Sequence, residues 1–182
     1  MTITAASTLR DVVQAVSRAL RAEGVRAVLT GGASASLHAD GDYLSHDLDY
    51  ILQGRTTQAQ LDRALASVGF ERKRDTYFHP ESPFFVEFPR GPLAIGDDDL
   101  VEPVEVRLGA TPVLMLSATD ACRDRLAAFY HWQDRQSLET ALKIARRRAV
   151  DMVQIRRWSE KEGKSTQFGE FLRRVKTTAR KR

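Results

Sequence analysis

The chain has 182 residues, 28 Lys and Arg against 24 Asp and Glu, and a formal net charge of +4. That length suits one domain, or one domain with a small appendage, and an apolar share of 42% is enough for a packed core. The single cysteine, Cys122, excludes an intrachain disulfide and reads as a buried or half-buried thiol in a reduced, cytoplasmic protein. No apolar run approaches a membrane span, and Met1 to Ala6 has neither the basic nor the apolar region of a secretory leader.

Thr8 and Asp11 form a capping pair ahead of Leu9, Val12, Val13, Val16 and Leu20, which follow helical spacing until Gly24. Val25 to Thr30 reads as a buried strand, broken by Gly31 and Gly32, with a short helix from Ser34. Asp47-Leu48-Asp49-Tyr50-Ile51-Leu52 reads as the next strand. Thr56 or Thr57 caps a helix through Leu61, Leu65 and Val68, ended by Gly69. Strands are predicted over Phe70 to Arg74, over Phe84 to Phe88 between two prolines, over Val104 to Leu108, and over the short apolar run Val113 to Leu116. The segment from Gly91 to Pro103, with Asp97-Asp98-Asp99, reads as a flexible loop.

From Thr119 the pattern turns helical, with apolar stripes around Leu126, Leu138, Val153 and Phe171, and His131-Trp132 at an interhelical packing corner. The expected fold class is α+β, a mixed β-sheet flanked by helices and followed by a small helical bundle. The expected division is 1–116 and 117–182. Residues 143–182 carry fourteen Lys and Arg against four Asp and Glu, ending in Arg180-Lys181-Arg182, so the front of the chain is net acidic. A basic end on an acidic front points to an anionic partner, with RNA the leading candidate.

The chemistry concentrates around the glycine pair and the Asp47-Leu48-Asp49 run. Alternation along a strand points both carboxylates to one face and Leu48 and Tyr50 to the other. Two adjacent carboxylates repel unless a cation stands between them. A hard ion such as Mg²⁺ suits them, and it usually arrives with substrate phosphates. Glycines allow the backbone close to a phosphate, and the following helix points N–H groups at it. Two-metal chemistry usually draws a third carboxylate from a neighbouring strand. Glu87 is the choice, as the one charge in Phe84-Phe85-Val86-Glu87-Phe88, where an unpaired acid is costly to bury. Asp97 to Asp99 are the rival source. Ser34 and Ser45 are candidate hydroxyl donors to phosphate oxygens. Lys143, Arg125 and Arg135 are candidate cations for the charge that shifts during phosphoryl transfer.

Val28-Leu29-Thr30-Gly31-Gly32-Ala33-Ser34 followed by Ser45-His46-Asp47-Leu48-Asp49-Tyr50 resembles the signature of the nucleotidyltransferase superfamily, the polymerase β-like fold. Within it the chain is similar to the AbiEii/MenT-like bacterial group, often toxins of toxin–antitoxin pairs, which shares the glycine turn and a Ser two residues before the first Asp. Weaker likenesses lie in Glu87 to Leu93 and in Asp124 to Tyr130. The resemblance implies an Mg²⁺ enzyme, with Mn²⁺ as alternative metal, that moves an NMP from an NTP to an acceptor hydroxyl and releases pyrophosphate. It implies Asp47, Asp49 and Glu87 as catalytic metal ligands, and Gly31, Gly32, Ser34, Ser45 and Lys143 as nucleotide-binding residues. It further implies a tRNA 3′ end as acceptor and a cognate antitoxin as partner. A protein hydroxyl as acceptor, as in AMP-adding antitoxin-type relatives, and a non-catalytic RNA- or protein-binding module on the same fold are the alternatives.

Overall fold

A computed structural model of the chain describes residues 2–41 and 45–179, so the basic end Arg180-Lys181-Arg182 lies outside the described residues. The chain divides into two compact units. One takes the described residues of 1–34, 44–92 and 103–116, and the other those of 35–43, 93–102 and 117–182.

The first unit is built on a seven-stranded mixed sheet. Its strands are β1 (Ala27–Leu29), β2 (Asp47–Leu52), β3 (Glu71–Lys73), β4 (Thr76–Phe78), β5 (Phe85–Glu87), β6 (Val104–Leu108) and β7 (Thr111–Met115), in the order β3-β4-β5-β2-β1-β7-β6. Most neighbours are antiparallel, while β1 with β7 and β2 with β5 run parallel. Helix α1 (Leu9–Ala22) starts at the expected capping box. Thr8 Oγ1 accepts from the Asp11 N–H, and Asp11 Oδ2 accepts from the Thr8 N–H at 2.9 Å. Its buried stripe of Leu9, Val12, Val13, Val16 and Leu20 packs on β7 and on α3 (Gln58–Ala66). Helix α3 has its own capping box, Thr57 with Gln60.

Two boundaries differ from the expected ones. Helix α2 (Gly31–His38) begins at the first glycine, so the glycine pair forms its first turn and Ser34 lies inside it. The segment read as one strand over Phe70 to Arg74 is half of the hairpin β3–β4. It turns at Arg74-Asp75, where Arg74 takes φ +59° in place of the Gly or Asn that would signal such a turn.

The second unit contains α4 (Ala118–Trp132), α5 (Arg135–Arg147), α6 (Met152–Lys161) and α7 (Ser165–Ala179). α4 packs on α5 and α6, and α7 on α5 and α6, over Leu126, Phe129, Leu138, Leu142, Ile155 and Phe171, all buried. Ser117, Asp134 and Asp151 cap the first three N-termini. The expected corner at His131-Trp132 is a turn, with Gln133 left-handed at φ +56°, but the Trp132 side chain projects into solvent instead of packing. Cys122 is buried, and burial pushes its thiol pKa up, which keeps it protonated and inert.

The loop read as flexible is tied down at several points. Ile95 is buried, its carbonyl accepts from Trp158 Nε1 at 3.2 Å, and Asp98 pairs with Arg123. Arg123 is the unit's buried cation, 1% exposed, bonded also to Asp120 at 2.8 Å, with its guanidinium 5.1 Å from the Trp158 ring centroid. Burial alone would raise the Asp98 pKa. The Arg123 hydrogen bond and charge, with the Leu100 N–H, outweigh it and leave the carboxyl below its ordinary 3.8. A depressed folded pKa contributes stability that is present above the unfolded value and lost as pH falls through the folded one. Replacing Arg123 with Met strands the buried Asp120 carboxylate, which we expect to cost about 3–5 kcal/mol near neutral pH. In urea denaturation the gap between wild type and Arg123→Met should narrow as pH drops below 3.8; a pH-independent gap would contradict the ion-pair account.

Candidate active site on the carboxylate strands

Strand β2 sorts its side chains by alternation. Leu48 and Tyr50 are 0% and 1% exposed, and the Tyr50 hydroxyl is hydrogen-bonded to Ser17 of α1 at 2.9 Å. That contact fixes the inner face, so Asp47 and Asp49, both half-buried, lie on the outer one. Strand β5 pairs parallel with Asp47 opposite Phe85, Leu48 opposite Val86 and Asp49 opposite Glu87. Glu87 therefore stands beside Asp49 on the outer face, one inter-strand spacing of about 4.8 Å away.

Each acid is held by a neighbour. The Ser45 hydroxyl donates to Asp47 Oδ1. Thr76 of β4, in register with Glu87, donates its hydroxyl to Glu87 Oε1 at 2.8 Å. Asp49 is locked to the glycine turn, since the Thr30 N–H donates to the Asp49 carbonyl at 2.9 Å and the Thr30 hydroxyl does so at 3.3 Å. Gly31 meets two demands at once. Its φ is +59°, and a Cβ there would lie 2.5 Å from Asp49 Oδ2. The α2 N-terminus and the second acid of the pair are thus packed against each other.

The structure brings Gly31, Gly32, Ser45, Asp47, Asp49 and Glu87 into the sheet unit. Ser34 is there too, but its N–H is spent on the Thr30 carbonyl at 3.2 Å, and its hydroxyl is fully buried without a hydrogen-bond partner among the described residues. Lys143 sits on α5 in the helical unit, half-buried. Of the other candidate cations, Arg125 contacts its neighbour Asp124 at 2.6 Å, and Arg135 contacts Glu170 at 2.5 Å. The rival acids also belong to the helical unit, where Asp98 pairs with Arg123 and the Asp97 N–H donates to Glu162. Thr76 has no signal in the sequence because β4 has none; a Thr directly after an Arg-Asp turn does not mark a strand by itself.

The donor set of Asp47, Asp49 and Glu87 is all carboxylate oxygen on one face, which is what a hard divalent cation takes. Among the described residues no three His, Cys, Asp or Glu side chains are already gathered closely enough to hold an ion. The donor chemistry fits, and Ser45 and Thr76 occupy oxygens of Asp47 and Glu87 that an ion would engage.

No protein-family model matches the chain, and no curated protein sequence matches it significantly. Among solved structures it is similar to an antigenic nucleotidyltransferase-like protein from Paracoccidioides brasiliensis, with a TM-score of 0.58 and 16% identity over 75% of this chain and 74% of that one. A second, looser match is the antibiotic-resistance factor ANT(2″)-Ia, with a TM-score of 0.49 and 12% identity over 94% and 95% of the two chains. At such identity the first likeness speaks for the fold, and the second is too loose to bear on it. The fold is a nucleotidyltransferase-type mixed sheet flanked by helices, with a helical C-terminal part.

Gly31→Ala should cost about 1–2 kcal/mol for the left-handed backbone alone and displace the Asp49 carboxylate as well. On a phosphate-cradle reading of this turn, binding of an NTP, tested with each of the four in the presence of Mg²⁺, should fall at least about ten-fold. Gly24→Ala is the control, with φ +71° but open space around its Cβ; it should lose stability and keep nucleotide binding. Calorimetric titration of both variants checks this.

Proposed function

We propose that this chain is an Mg²⁺-dependent nucleotidyltransferase that moves an NMP from an NTP to an acceptor hydroxyl. The observation that carries the reading is the register of Asp49 with Glu87, with Asp47 on the same face and Gly31 packed against Asp49. Asp47, Asp49 and Glu87 would hold the metal, which when bound neutralises phosphate charge and favours the hydroxyl as nucleophile. The first turn of α2, with Gly31 and Gly32, offers backbone N–H groups to the triphosphate. Glu87, aligned by Thr76, accepts the proton of the attacking hydroxyl. The acceptor oxygen bonds to the α-phosphorus as the bond from that phosphorus to the bridging oxygen breaks, and pyrophosphate leaves. Ser45 fixes the rotamer of Asp47.

The acceptor on this reading is RNA, such as a tRNA 3′ end, and the protein acts as a cytoplasmic toxin with a cognate antitoxin. The basic composition of 143–182 supports it. Some of that charge is spent internally, on Asp40 by Arg147 and Arg148 and on Glu139 by Arg174. Arg157 is exposed and Lys164 half-buried, and both are offered to phosphate contacts, whereas Arg146 donates to the Arg174 carbonyl at 3.4 Å and the charge of Lys161 acts on Asp98. No helix among the described residues is long and apolar enough to cross a membrane.

The test is transfer from each α-labelled NTP, with total tRNA and a protein extract offered in parallel. Label should appear on RNA, depend on Mg²⁺, and fall at least about a hundred-fold in Asp49→Ala. Label on protein would move the acceptor to a protein hydroxyl. No label and no Mg²⁺–NTP binding would leave a binding module on this fold.

A further inference from the structure

We propose that the outer face of β4 and β5 is a base-stacking platform that receives the single-stranded 3′ end of an RNA acceptor beside the carboxylates. This rests on the transferase reading for its purpose, but its geometry is independent of it. Phe78 pairs with Phe85 across β4–β5, and Phe85 pairs with Asp47 across β5–β2. Phe78, Phe85 and Asp47 therefore form one transverse row, next to the row of Thr76, Glu87 and Asp49. The Phe78 and Phe85 ring centroids are 5.8 Å apart and tilted by 34°. On the inner face of the same strands Tyr77 and Val86 are buried, whereas Phe78 is 39% exposed on the outer face and Phe85 is half-buried.

An exposed Phe78 packed against a half-buried Phe85 serves the core poorly. The two rings suit a ligand with a flat apolar face. Every nucleobase has such a face, and stacking on aromatic side chains is how single strands are held without sequence readout. Lys73 of β3 extends over Phe78, its Nζ 5.8 Å from the ring centroid, which places a cation where the backbone of a stacked nucleotide would run. Glu71 faces Phe78 from the same edge strand, so the phosphate path is assigned to the Lys73 side. A terminal base over Phe85 leaves its ribose hydroxyl next to Asp47 and Asp49, where the transfer reading needs it.

Anisotropy of a 5′-fluorescein single-stranded RNA decamer tests the platform. Phe78→Ala should weaken binding about ten-fold or more, and Phe78→Trp should retain it. Lys73→Ala should lower the slope of log affinity against log salt by about 0.7. Thermal melting of each variant establishes that it is folded. A wild-type protein that does not bind the decamer, or a folded Phe78→Ala that binds it as tightly as wild type, overturns the platform. The transferase reading fails separately. If the decamer binds through Phe78 and no NTP labels any RNA, the platform stands and transfer falls. If Phe78→Ala labels RNA as well as wild type does, transfer stands and the platform falls.

Discussion

The alternation of β2 is the constraint on which the rest depends. The strand is the middle one of seven, hydrogen-bonded on both sides. Leu48 and Tyr50 are sealed beneath it at 0% and 1% exposure. Slipping its register by one residue would carry Asp47 and Asp49 into the apolar layer and expose Leu48 and Tyr50. Burying an unpaired carboxylate costs far more than burying an aliphatic side chain returns. The placement of the acids is thus enforced by the burial of residues that have no part in the chemistry.

That placement has an electrostatic consequence. Asp49 and Glu87, one inter-strand spacing apart, repel by about 1 kcal/mol even in bulk water and by more at partly buried positions, and Asp47, two residues along β2, adds a weaker repulsion. The Ser45 and Thr76 hydroxyls give two of them hydrogen bonds without giving them positive charge. Gly31, pressed against Asp49, keeps the N-terminal end of α2 nearby, and a helix N-terminus is the other local source of positive potential.

The sequence revealed the parts of this arrangement that follow from local periodicity. The Asp-Leu-Asp-Tyr alternation gives the facing of β2, and the capping pair Thr8 and Asp11 gives the start of α1. Choosing Glu87 needed only the cost of an isolated acid in an apolar strand. Its register with Asp49 was not readable, because parallel pairing between strands more than thirty residues apart leaves no mark in either one. The hairpin β3–β4 stayed hidden since its turn uses Arg74-Asp75 in place of glycine or asparagine, and with it went Thr76 and the exposure of Phe78. Starting α2 at Ser34 treated the glycines as breakers; Gly31 instead opens the helix in a left-handed conformation, and its missing Cβ leaves room for the Asp49 carboxylate.

Acids elsewhere in the molecule sharpen the distinction between structural and chemical carboxylates. In the helical unit Asp134 and Asp151 cap helices. Asp98 and Asp120 flank Arg123, and Glu162 accepts from the Asp97 N–H and meets His131. Each of these is committed to a backbone N–H or to a cation within its own unit, and its charge is consumed in holding the fold. Asp47 and Glu87 meet the hydroxyls of Ser45 and Thr76 instead, which orient a carboxylate without bringing a positive charge to it. The difference lies in the cations and backbone N–H groups that the helical unit adds, since Asp120 and Asp134 accept from serine hydroxyls as well. By that physical criterion β2 and β5, rather than the Asp97-Asp98-Asp99 loop, are the better candidates for the proposed site.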